Sequence, residues 1–439
     1  MTKEEKYKIA KWAMEHAIQN GAQQARVSIY NNNSSQIEVR DKKIDKLQET
    51  NRNGMRINLY VDNKYSSIST SRITNKEELG RFIEEAIAGA RYLAEDEFRT
   101  LPDPERYYRG DGPDLKTVDP NFSSIDPRQK VNDAFNLENE VLEKDERITS
   151  VSSSYSDSLS GSVMVDSKGF EGDTENSSYF LSTSVSVTDG AARPQGNWYE
   201  SSIFNDQLIR KNIGKKALQR ALDRLGQEKI ESGKMPMIVE NKMAGMVLQP
   251  LISALNGSAI QQKQSFLIDR IGEKIGSGLL TLTDDPFIVS GRGSRLFDNE
   301  GMATRKRTVI VKGVLLTYFI DTYYGKKLEM EPTSGSTTNL VFEPGTKDLA
   351  GLLADIDRGI LVTGFNGGNN NQVTGDFSYG IEGFLVEKGK LSKAIAEMNI
   401  TGNFKQLFKN LVATGNDADL SRSWRVPSLV FDNVDFSGI

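Results

Sequence analysis

Short runs that alternate apolar with small polar residues recur through the first half of the chain and most constrain its fold. Clear examples are ITSVSSSYSD at residues 148–157 and SYFLSTSVSVTD at residues 178–189. An alternation with a period of two residues predicts β-strands with one buried and one solvent-exposed face, as in antiparallel sheets. Asp62-Asn63 is expected to form a hairpin turn between two such runs. The other strands predicted in this half are ARVSIYN, SQIEVRD, GMRINLYVD, KYSSISTS and GSVMVDSKG.

Helical signals are scattered among these strands. Thr2 and Glu5 have the spacing of a capping box at the start of a first helix, which Asn20-Gly21 is expected to end. Because helices and strands do not alternate as regular βαβ units, the predicted fold class is α+β. Further helices are predicted at residues 75–94, 127–144, 206–226, 246–257, 346–359 and 403–416.

The turn GQEKIESGKMP at residues 226–236 is the predicted boundary between two domains. Residues 1–228 are expected to form an N-terminal α+β domain, with helices packed on a mostly antiparallel sheet. Residues 229–439 are expected to form a strand-rich C-terminal domain with a barrel-like or strongly curved sheet. A chain of 439 residues is long enough for two domains with cores of their own.

The scarcest residue types exclude several kinds of chemistry. The chain has no Cys, and therefore no disulfide, no thiolate nucleophile and no thiolate zinc site. Its one His, His16, lies within the first predicted helix and is interpreted as an ordinary helix residue. A net charge of −5 opposes direct binding to nucleic acid. No apolar run approaches the roughly 20 residues of a membrane span, and the amphipathic N-terminus favours a cytoplasmic protein without membrane contact.

Acidic pairs and Gly-rich segments show no clear catalytic pattern. The acidic pairs lack the spacing of an EF-hand and are interpreted as turns or solvated edges. GRGSRL at residues 291–296 lacks the last glycine of a dinucleotide loop, and the Gly/Asn-rich segment Gly364–Gly380 lacks the end of a P-loop. The second segment is predicted to be a long turn. The acidic pairs are Asp284-Asp285, Asp298 with Glu300, and Glu329 with Glu331.

The strongest local pattern is a predicted β-hairpin within residues 297–328. After a turn at residues 298–301, one strand is expected at Thr304–Val311 and a second at Val314–Tyr323, joined by a tight turn at Lys312-Gly313. The hairpin would have a basic outer face and an apolar inner face. Such an element is structural or offers a binding edge, and is not a catalytic centre.

Three motifs around and after this hairpin carry a resemblance to a known family. They are D-x-E-G at residues 298–301, T-G-D-F-S-x-G at 374–380 and G-N-D at 415–417. With the flanking segments, they resemble the PmbA/TldD family, also called modulators of DNA gyrase, which includes the TldD and TldE (PmbA) protease subunits. The resemblance covers nearly the whole chain.

The resemblance implies that this chain lacks the metal site of TldD-type subunits. In those subunits a helix carries H-E-x-x-x-H, whose two His bind zinc together with a Cys near the C-terminus. No catalytic or metal residue can therefore be assigned, zinc is expected only in a TldD-type partner, and whether this chain is an enzyme at all stays open. At the place of the motif this sequence has Gln249, Pro250, Leu251, Ile252, Ser253 and Ala254.

By this resemblance, the chain is expected to be the TldE/PmbA-type subunit of a zinc metalloprotease complex, inactive alone, which helps to form the chamber and binds extended peptides. The alternative is a stand-alone, homo-oligomeric peptide-binding or regulatory protein of the gyrase-modulator type. The expected partner is a TldD-type homologue or a second copy of the chain. Flexible backbone suggests peptide contacts at Thr333, Ser334, Gly335, Ser336, Thr337, Thr338, Gly367, Gly368, Asn369, Asn370 and Asn371.

Overall fold

Six antiparallel strands form one sheet in the N-terminal half, in the order β3-β2-β1-β4-β5-β6. The structure is a computed structural model that describes residues 1–438. Asp62 and Asn63 both have positive φ and form the predicted hairpin turn between β2 and β3. The strands are β1 (Gln24–Arg40), β2 (Lys43–Val61), β3 (Lys64–Thr70), β4 (Ile148–Asp166), β5 (Glu171–Val187) and β6 (Gln195–Ser202).

Two of these strands each join two runs that were predicted as separate strands, and β2 and β5 begin earlier than predicted. ARVSIYN and SQIEVRD belong to one strand, β1, and ITSVSSSYSD and GSVMVDSKG both belong to β4. The polar residues 31–34 carry no alternating signal, but they pair with β2 on one side and with β4 on the other. Because both neighbours supply backbone hydrogen bonds, the strand continues where none of its side chains is fully buried.

One face of this sheet is apolar, and all four N-terminal helices pack against it. Helices α1 and α2 cover one end, around Val27 and Ile57, and α3 and α4 cover the other end, around Ile37 and Leu181. The predicted capping box at Thr2 is present at the start of α1. The helices are α1 (Lys3–Gln19), α2 (Lys76–Ala90), α3 (Pro127–Asn139) and α4 (Ile213–Leu222).

The helix predicted at residues 206–226 is wrong over its first part. Helix α4 begins only at Ile213, because Asn212 has a φ of 65° and lies outside the helical region. The Glu140 carboxylate, at the end of α3, accepts the N–H groups of Asn212 at 2.7 Å and of Gly214 at 2.9 Å. A side chain from another helix thus caps this start, which local sequence could not indicate. Helices α2 and α3 also end a few residues earlier than predicted.

The C-terminal half contains a closed five-stranded barrel, which confirms the predicted barrel-like sheet. The barrel closes because β14 pairs with β13 on one side and with β17 on the other. Helices make up 23% and strands 40% of the chain, so the α+β prediction is also confirmed. The barrel strands are β7 (Gly233–Val239), β12 (Arg358–Asn370), β13 (Asp376–Glu387), β14 (Lys390–Asn403) and β17 (Leu429–Ser437), with β15 (Leu411–Thr414) attached to β17.

A second, smaller sheet and five helices complete this half. The sheet order is β10-β9-β8-β11-β16. Its strands are β8 (Leu282–Asp285), β9 (Arg307–Val311), β10 (Val314–Leu315), β11 (Asn339–Phe342) and β16 (Trp424–Arg425). The helices are α5 (Asn241–Ala254), α6 (Gly257–Gln261), α7 (Thr322–Leu328), α8 (Leu349–Ala354) and α9 (Phe404–Lys409). Within residues 1–438, no helix combines the length and apolar character that a bilayer span needs.

The predicted hairpin in this half is only partly correct. Strands β9 and β10 do pair around the Lys312-Gly313 turn, but β10 ends at Leu315. The strand expected to continue to Tyr323 is wrong, because Asp321 caps helix α7 by accepting the N–H of Tyr324 at 2.7 Å.

Three further predictions in this half need correction. The predicted long turn Gly364–Gly380 is a β-hairpin, in which β12 continues to Asn370 and the ladder shifts register between Phe365 and Gly368. The helix predicted at 246–257 begins earlier, at Asn241, and Asn256 does not end it but caps the next helix, α6. Helices α8 and α9 are shorter than the helical segments predicted at 346–359 and 403–416.

Candidate functional site

The start of helix α5 is positioned by residues distant along the chain. Asn241, its first residue, donates its backbone N–H to Ser428 Oγ at 3.1 Å and its side-chain amide to the Asp417 carbonyl. The Asp417 carboxylate accepts the N–H and hydroxyl of Ser428 at 2.8 and 2.7 Å. Glu240, just before the helix, forms a bidentate ion pair with Arg220 of α4, with both distances 2.8 Å. The G-N-D motif, which contains Asp417, therefore helps to fix where α5 begins.

Helix α5 packs one side into the barrel core and leaves the other side accessible. Leu248 and Leu251 are essentially inaccessible to solvent. Gln249 lies on the exposed side, where its Nε2 donates to Ser253 Oγ one turn later at 3.0 Å. Pro250 sits inside the helix, lacks a backbone N–H and is buried. The two polar side chains of residues 249–254 thus bond to each other, and the remaining four are apolar.

A cavity of about 210 Å³ lies between α5 and the barrel. Aromatic rings from different strands and from α9 meet on its wall, with centroids 4.7 Å apart for Phe377 and Phe404 and 5.7 Å apart for Phe377 and Tyr379. Met246 and Gln249 of α5 are exposed at its rim, so a ligand could enter from solvent. The lining residues are Met246, Val247, Gln249, Pro250, Phe365, Asn370, Phe377, Tyr379, Ile400, Phe404 and Leu407.

The T-G-D-F-S-x-G motif builds one wall of this cavity. Asp376 accepts hydrogen bonds from Thr374 Oγ1 at 2.6 Å and from Asn403 Nδ2 at 2.8 Å, and these bonds lower the pKa of its carboxyl group. This turn starts β13 so that Phe377 and Tyr379, two residues apart, both line the cavity. Neither ring was predicted as a site residue, because both lie in Gly364–Gly380, the segment predicted to be a long turn. Their spacing of two residues, interpreted as part of a strand, was the signal that could have found them.

The cavity wall has no imidazole, thiolate or carboxylate group that could bind zinc. None of its lining residues is His, Cys, Asp or Glu. Zinc needs imidazole, thiolate or carboxylate ligands, so residues 249–254 do not fit the ion. Among residues 1–438 no three such side chains cluster in a way that could hold a metal. His16 lies on α1, where its Nε2 is 2.9 Å from a Glu84 carboxylate oxygen and its ring stacks on Trp12. The cavity is therefore suited to hold an apolar side chain.

The acidic pairs singled out in the sequence have structural partners. Asp284 is buried and accepts the N–H and hydroxyl of Thr338, both at 2.6 Å, and Asp298 accepts the N–H of Glu300 at 2.8 Å. Burial raises the pKa of Asp298, and it raises the pKa of Glu300 to about 7. The interpretation as a turn or solvated edge is therefore wrong for Asp284, which is buried on β8, and correct for Asp298, which lies in a turn although it is buried.

The third acidic pair, Glu329 with Glu331, lies at the end of α7. Glu329 has a φ of 54° and ends the helix, and Glu331 pairs with Arg106. Neither residue lines the cavity beside α5. This pair therefore closes a helix and links two segments of the chain.

The two segments predicted to contact peptide lie in different surroundings. Asn370 lines the cavity and donates from Nδ2 to the Tyr379 hydroxyl at 2.7 Å, whereas residues 367–369 are exposed on β12 outside the lining. Residues 333–338 do not line the cavity. Arg295 Nη2 binds Ser336 Oγ at 2.7 Å and the Thr337 carbonyl at 3.0 Å, so part of this segment is anchored. The two segments do not converge at the cavity.

Models of the domains of one known protein family match most of the chain. Residues 232–438 match the PmbA/TldA metallopeptidase C-terminal domain, residues 120–225 match the central domain of the same family, and residues 25–90 match its domain 1. The C-terminal match includes the barrel, α5 and the cavity.

Individual relatives cover the whole length. A protein named metalloprotease PmbA homolog, from Haemophilus influenzae, is 29% identical over 97% of this chain and 95% of its own. A crystal structure from Bacteroides thetaiotaomicron, described as a candidate modulator of DNA gyrase, is 52% identical, covers 100% of both chains and has a TM-score of 0.98. TldE from Thermococcus kodakarensis shares the fold, with a TM-score of 0.85 over 98% of this chain and 100% of its own at 21% identity.

Proposed function

The chain belongs to the PmbA/TldD metallopeptidase family, and we propose that within this family it is a subunit that binds peptide but not zinc. One observation carries the proposal. At the place where TldD-type subunits are expected to carry zinc ligands, α5 has Gln249–Ala254, and beside it lies an aromatic cavity without His, Cys, Asp or Glu. Such a cavity is suited to an apolar side chain of an unfolded peptide. Hydrolysis then comes from a zinc-bearing homologue that pairs with this chain.

The test compares the pure chain with a mixture of this chain and a homologue from the same host that carries H-E-x-x-x-H. Each sample receives an unfolded peptide with apolar side chains, with and without a chelator. We expect peptide binding by the pure chain without cleavage, and chelator-sensitive cleavage only in the mixture. Chelator-sensitive cleavage by the pure chain would contradict the proposal.

A pair of variants tests whether the cavity binds the peptide. Gln249→Trp places a large ring at the exposed rim of the cavity, and we expect it to weaken peptide binding at least about tenfold. Val412→Trp, at an exposed position on β15 outside the cavity, is the control and should bind as the unmodified chain does. Unchanged binding by Gln249→Trp would place the peptide elsewhere.

The alternative, a stand-alone oligomeric binding protein, makes a different prediction for material purified from the native host. We expect the proposed subunit to co-purify with its H-E-x-x-x-H homologue. Recovery of self-associated chain alone, with peptide binding intact, would favour the alternative.

A further inference from the structure

A second cavity, of about 690 Å³, lies between the N-terminal sheet and residues 292–299 of the C-terminal half. Its floor is the sheet face opposite the helices, because Arg26, Ser28 and Tyr30 alternate along β1 with the buried Val27 and Ile29. Residues 292–299 form the opposite wall. The volume is within the range of small-ligand sites. We call this cavity the arginine cleft.

Positive charge dominates the arginine cleft, although the whole chain is acidic. Arg26, Arg56, Arg292 and Arg295 line it, and the single acidic residue in the lining is Asp298. Arg26 has an ion-pair partner, Asp166, at 3.6 Å. In the part of the chain that the structure describes, no carboxylate lies within ion-pair distance of the other three arginines. Four arginines against one acidic residue leave an excess of positive charge in the cleft lining.

The strand register brings two of these charges close together. Arg56 of β2 lies directly opposite Ser28 of β1, two residues from Arg26 on the same face. Diagonal neighbours of this kind have Cα atoms roughly 7–8 Å apart, within reach of long side chains. Two guanidinium groups at this spacing can bind the same anion when it lies between them.

Two of the cleft arginines leave part of their hydrogen-bonding capacity unused within the chain. Arg26 is 5% exposed, and its Nε has no partner, although its Nη2 donates to the Glu300 carbonyl at 2.8 Å. The Nε of Arg295 is likewise buried without a partner. Buried donors without partners are rare in folded proteins and are normally met by a ligand or by water.

We propose that the arginine cleft binds a carboxylate, supplied by an acidic side chain or by the C-terminus of a peptide. A guanidinium group matches a carboxylate in a planar, two-point geometry. The cleft lining contains no lysine, which is the point-charge residue common at phosphate sites. Neutral donors such as Asn58, Ser162 and Asn176 line the same cleft and suit peptide amides. The identification of the ligand as a peptide rests on the proposed function, whereas the choice of an anion does not.

The test measures binding of labelled hexapeptides to the full chain. The first is rich in Asp and Glu, the second replaces these residues with Asn and Gln, and each is made with a free and with an amidated C-terminus. We expect the acidic peptide to bind at least about tenfold more tightly than its neutral counterpart, with affinity falling as salt rises. Equal affinities for the acidic and neutral peptides would overturn the proposal. A loss caused by amidation would identify the C-terminus as the source of the carboxylate, and no loss would identify the side chains.

Matched arginine variants locate the site. Arg56→Gln combined with Arg292→Gln should weaken acidic-peptide binding about tenfold or more. Arg358→Gln, at an exposed arginine on β12 outside the cleft, should change binding less than about twofold. Thermal unfolding of each variant verifies folding. If the double variant fails to fold, the salt dependence of the unmodified chain remains the deciding measurement. Equal binding by the double variant and by Arg358→Gln would overturn the proposal.

Two further measurements distinguish a carboxylate site from a phosphate site, and binding at the arginine cleft from binding at the cavity beside α5. Inorganic phosphate is added as a competitor, and displacement of the acidic peptide by phosphate at concentrations where acetate has no effect would contradict a carboxylate site. Binding of a neutral apolar peptide reports on the cavity beside α5 and should be unchanged in the arginine double variant. If that apolar binding is absent while acidic binding persists, the proposed function fails and the arginine cleft stands.

Discussion

The cavity beside α5 and the arginine cleft differ in almost every physical property. The first is built from aromatic rings of the barrel and contains no ionised carboxylate or cation. The second lies between the two halves and is lined by four arginines and neutral polar side chains. An apolar cavity favours any apolar side chain, because the hydrophobic effect does not depend on the orientation of the ligand. A guanidinium group selects ligands by their charge and by the geometry of their hydrogen-bond acceptors. In our proposals, the first site therefore supplies general affinity for unfolded chain and the second supplies selectivity.

The two regions also differ in how the fold produces them. The apolar cavity depends on motifs that hold backbone in place, with Asp376 at the start of β13 and Asp417 at the start of α5. The arginine cleft depends on a contact between halves, in which Arg26 binds the carbonyl of Glu300 in the D-x-E-G segment. Packing should dominate the stability of the first region and buried charge that of the second.

The largest expected effect is on packing at the apolar cavity. Phe404 is 1% exposed and contacts Phe377 and Phe408, so Phe404→Ala removes a ring that neighbouring side chains cannot replace. We expect the free energy of unfolding to fall by about 4 kcal/mol, with little dependence on salt. Urea denaturation at two salt concentrations measures it. Val412→Ala, at an exposed position, should stay within about 0.5 kcal/mol of the unmodified chain. A loss as small as that of the control would mean that the rings do not stabilise the barrel.

A somewhat smaller effect is expected at the arginine cleft. Arg26→Gln leaves the Asp166 carboxylate, whose side chain is fully buried, without its cation. The Tyr107 hydroxyl still donates to Asp166 at 2.7 Å, which limits the loss. We expect a decrease of about 3 kcal/mol in the free energy of unfolding, measured by urea denaturation. Arg56→Gln removes an exposed arginine from the same cleft and should cost less than about 0.5 kcal/mol. Equal losses in the two variants would show that the cleft contains no structural charge pair.

Local patterns predicted the parts of the fold that depend on neighbouring residues. The Asp62-Asn63 turn, the Thr2 capping box and the alternation along β1 and β4 all follow from spacing within a few residues. Predictions failed where a distant side chain decides the outcome. Glu140 sets the start of α4, and backbone pairing on both sides carries β1 through a polar stretch.

The candidate sites were harder to predict than the fold. The sequence pattern predicted α5 and the family resemblance singled out residues 249–254 on it, but the cavity requires Phe365, Phe377 and Phe404 to meet through barrel closure, which no local pattern encodes. The alternation of Arg26 with Val27 predicts that one face of β1 is exposed to solvent. It does not predict that residues 292–299 cover this face and turn it into a cleft.

The smallest expected effect is a pH dependence of stability between about pH 5 and pH 8 that comes from the arginine-cleft region. Glu300, whose carbonyl accepts a hydrogen bond from Arg26, has a pKa of about 7, because burial raises it and the nearby Asp298 adds to this, while the N–H of Thr322 opposes it. Since an unfolded Glu has a pKa near 4.3, the folded chain holds a proton that the unfolded chain releases. Glu300 therefore stabilises the fold fully below about pH 4, and this contribution is lost as the pH rises through 7.

The change to measure is the slope of unfolding free energy with pH between about pH 5 and pH 8. Glu300→Gln keeps an oxygen that can accept the Thr322 N–H but cannot ionise, so we expect it to remove a decrease of about 2 kcal/mol across this range. Glu85→Gln, on the exposed side of α2, is the matched control and should keep the slope. Phe404→Ala should also keep it, because no carboxylate lines the apolar cavity. If Glu300→Gln keeps the full slope of unfolding free energy with pH, another group is responsible for the loss of stability. The electrostatic difference between the arginine cleft and the apolar cavity then does not depend on Glu300.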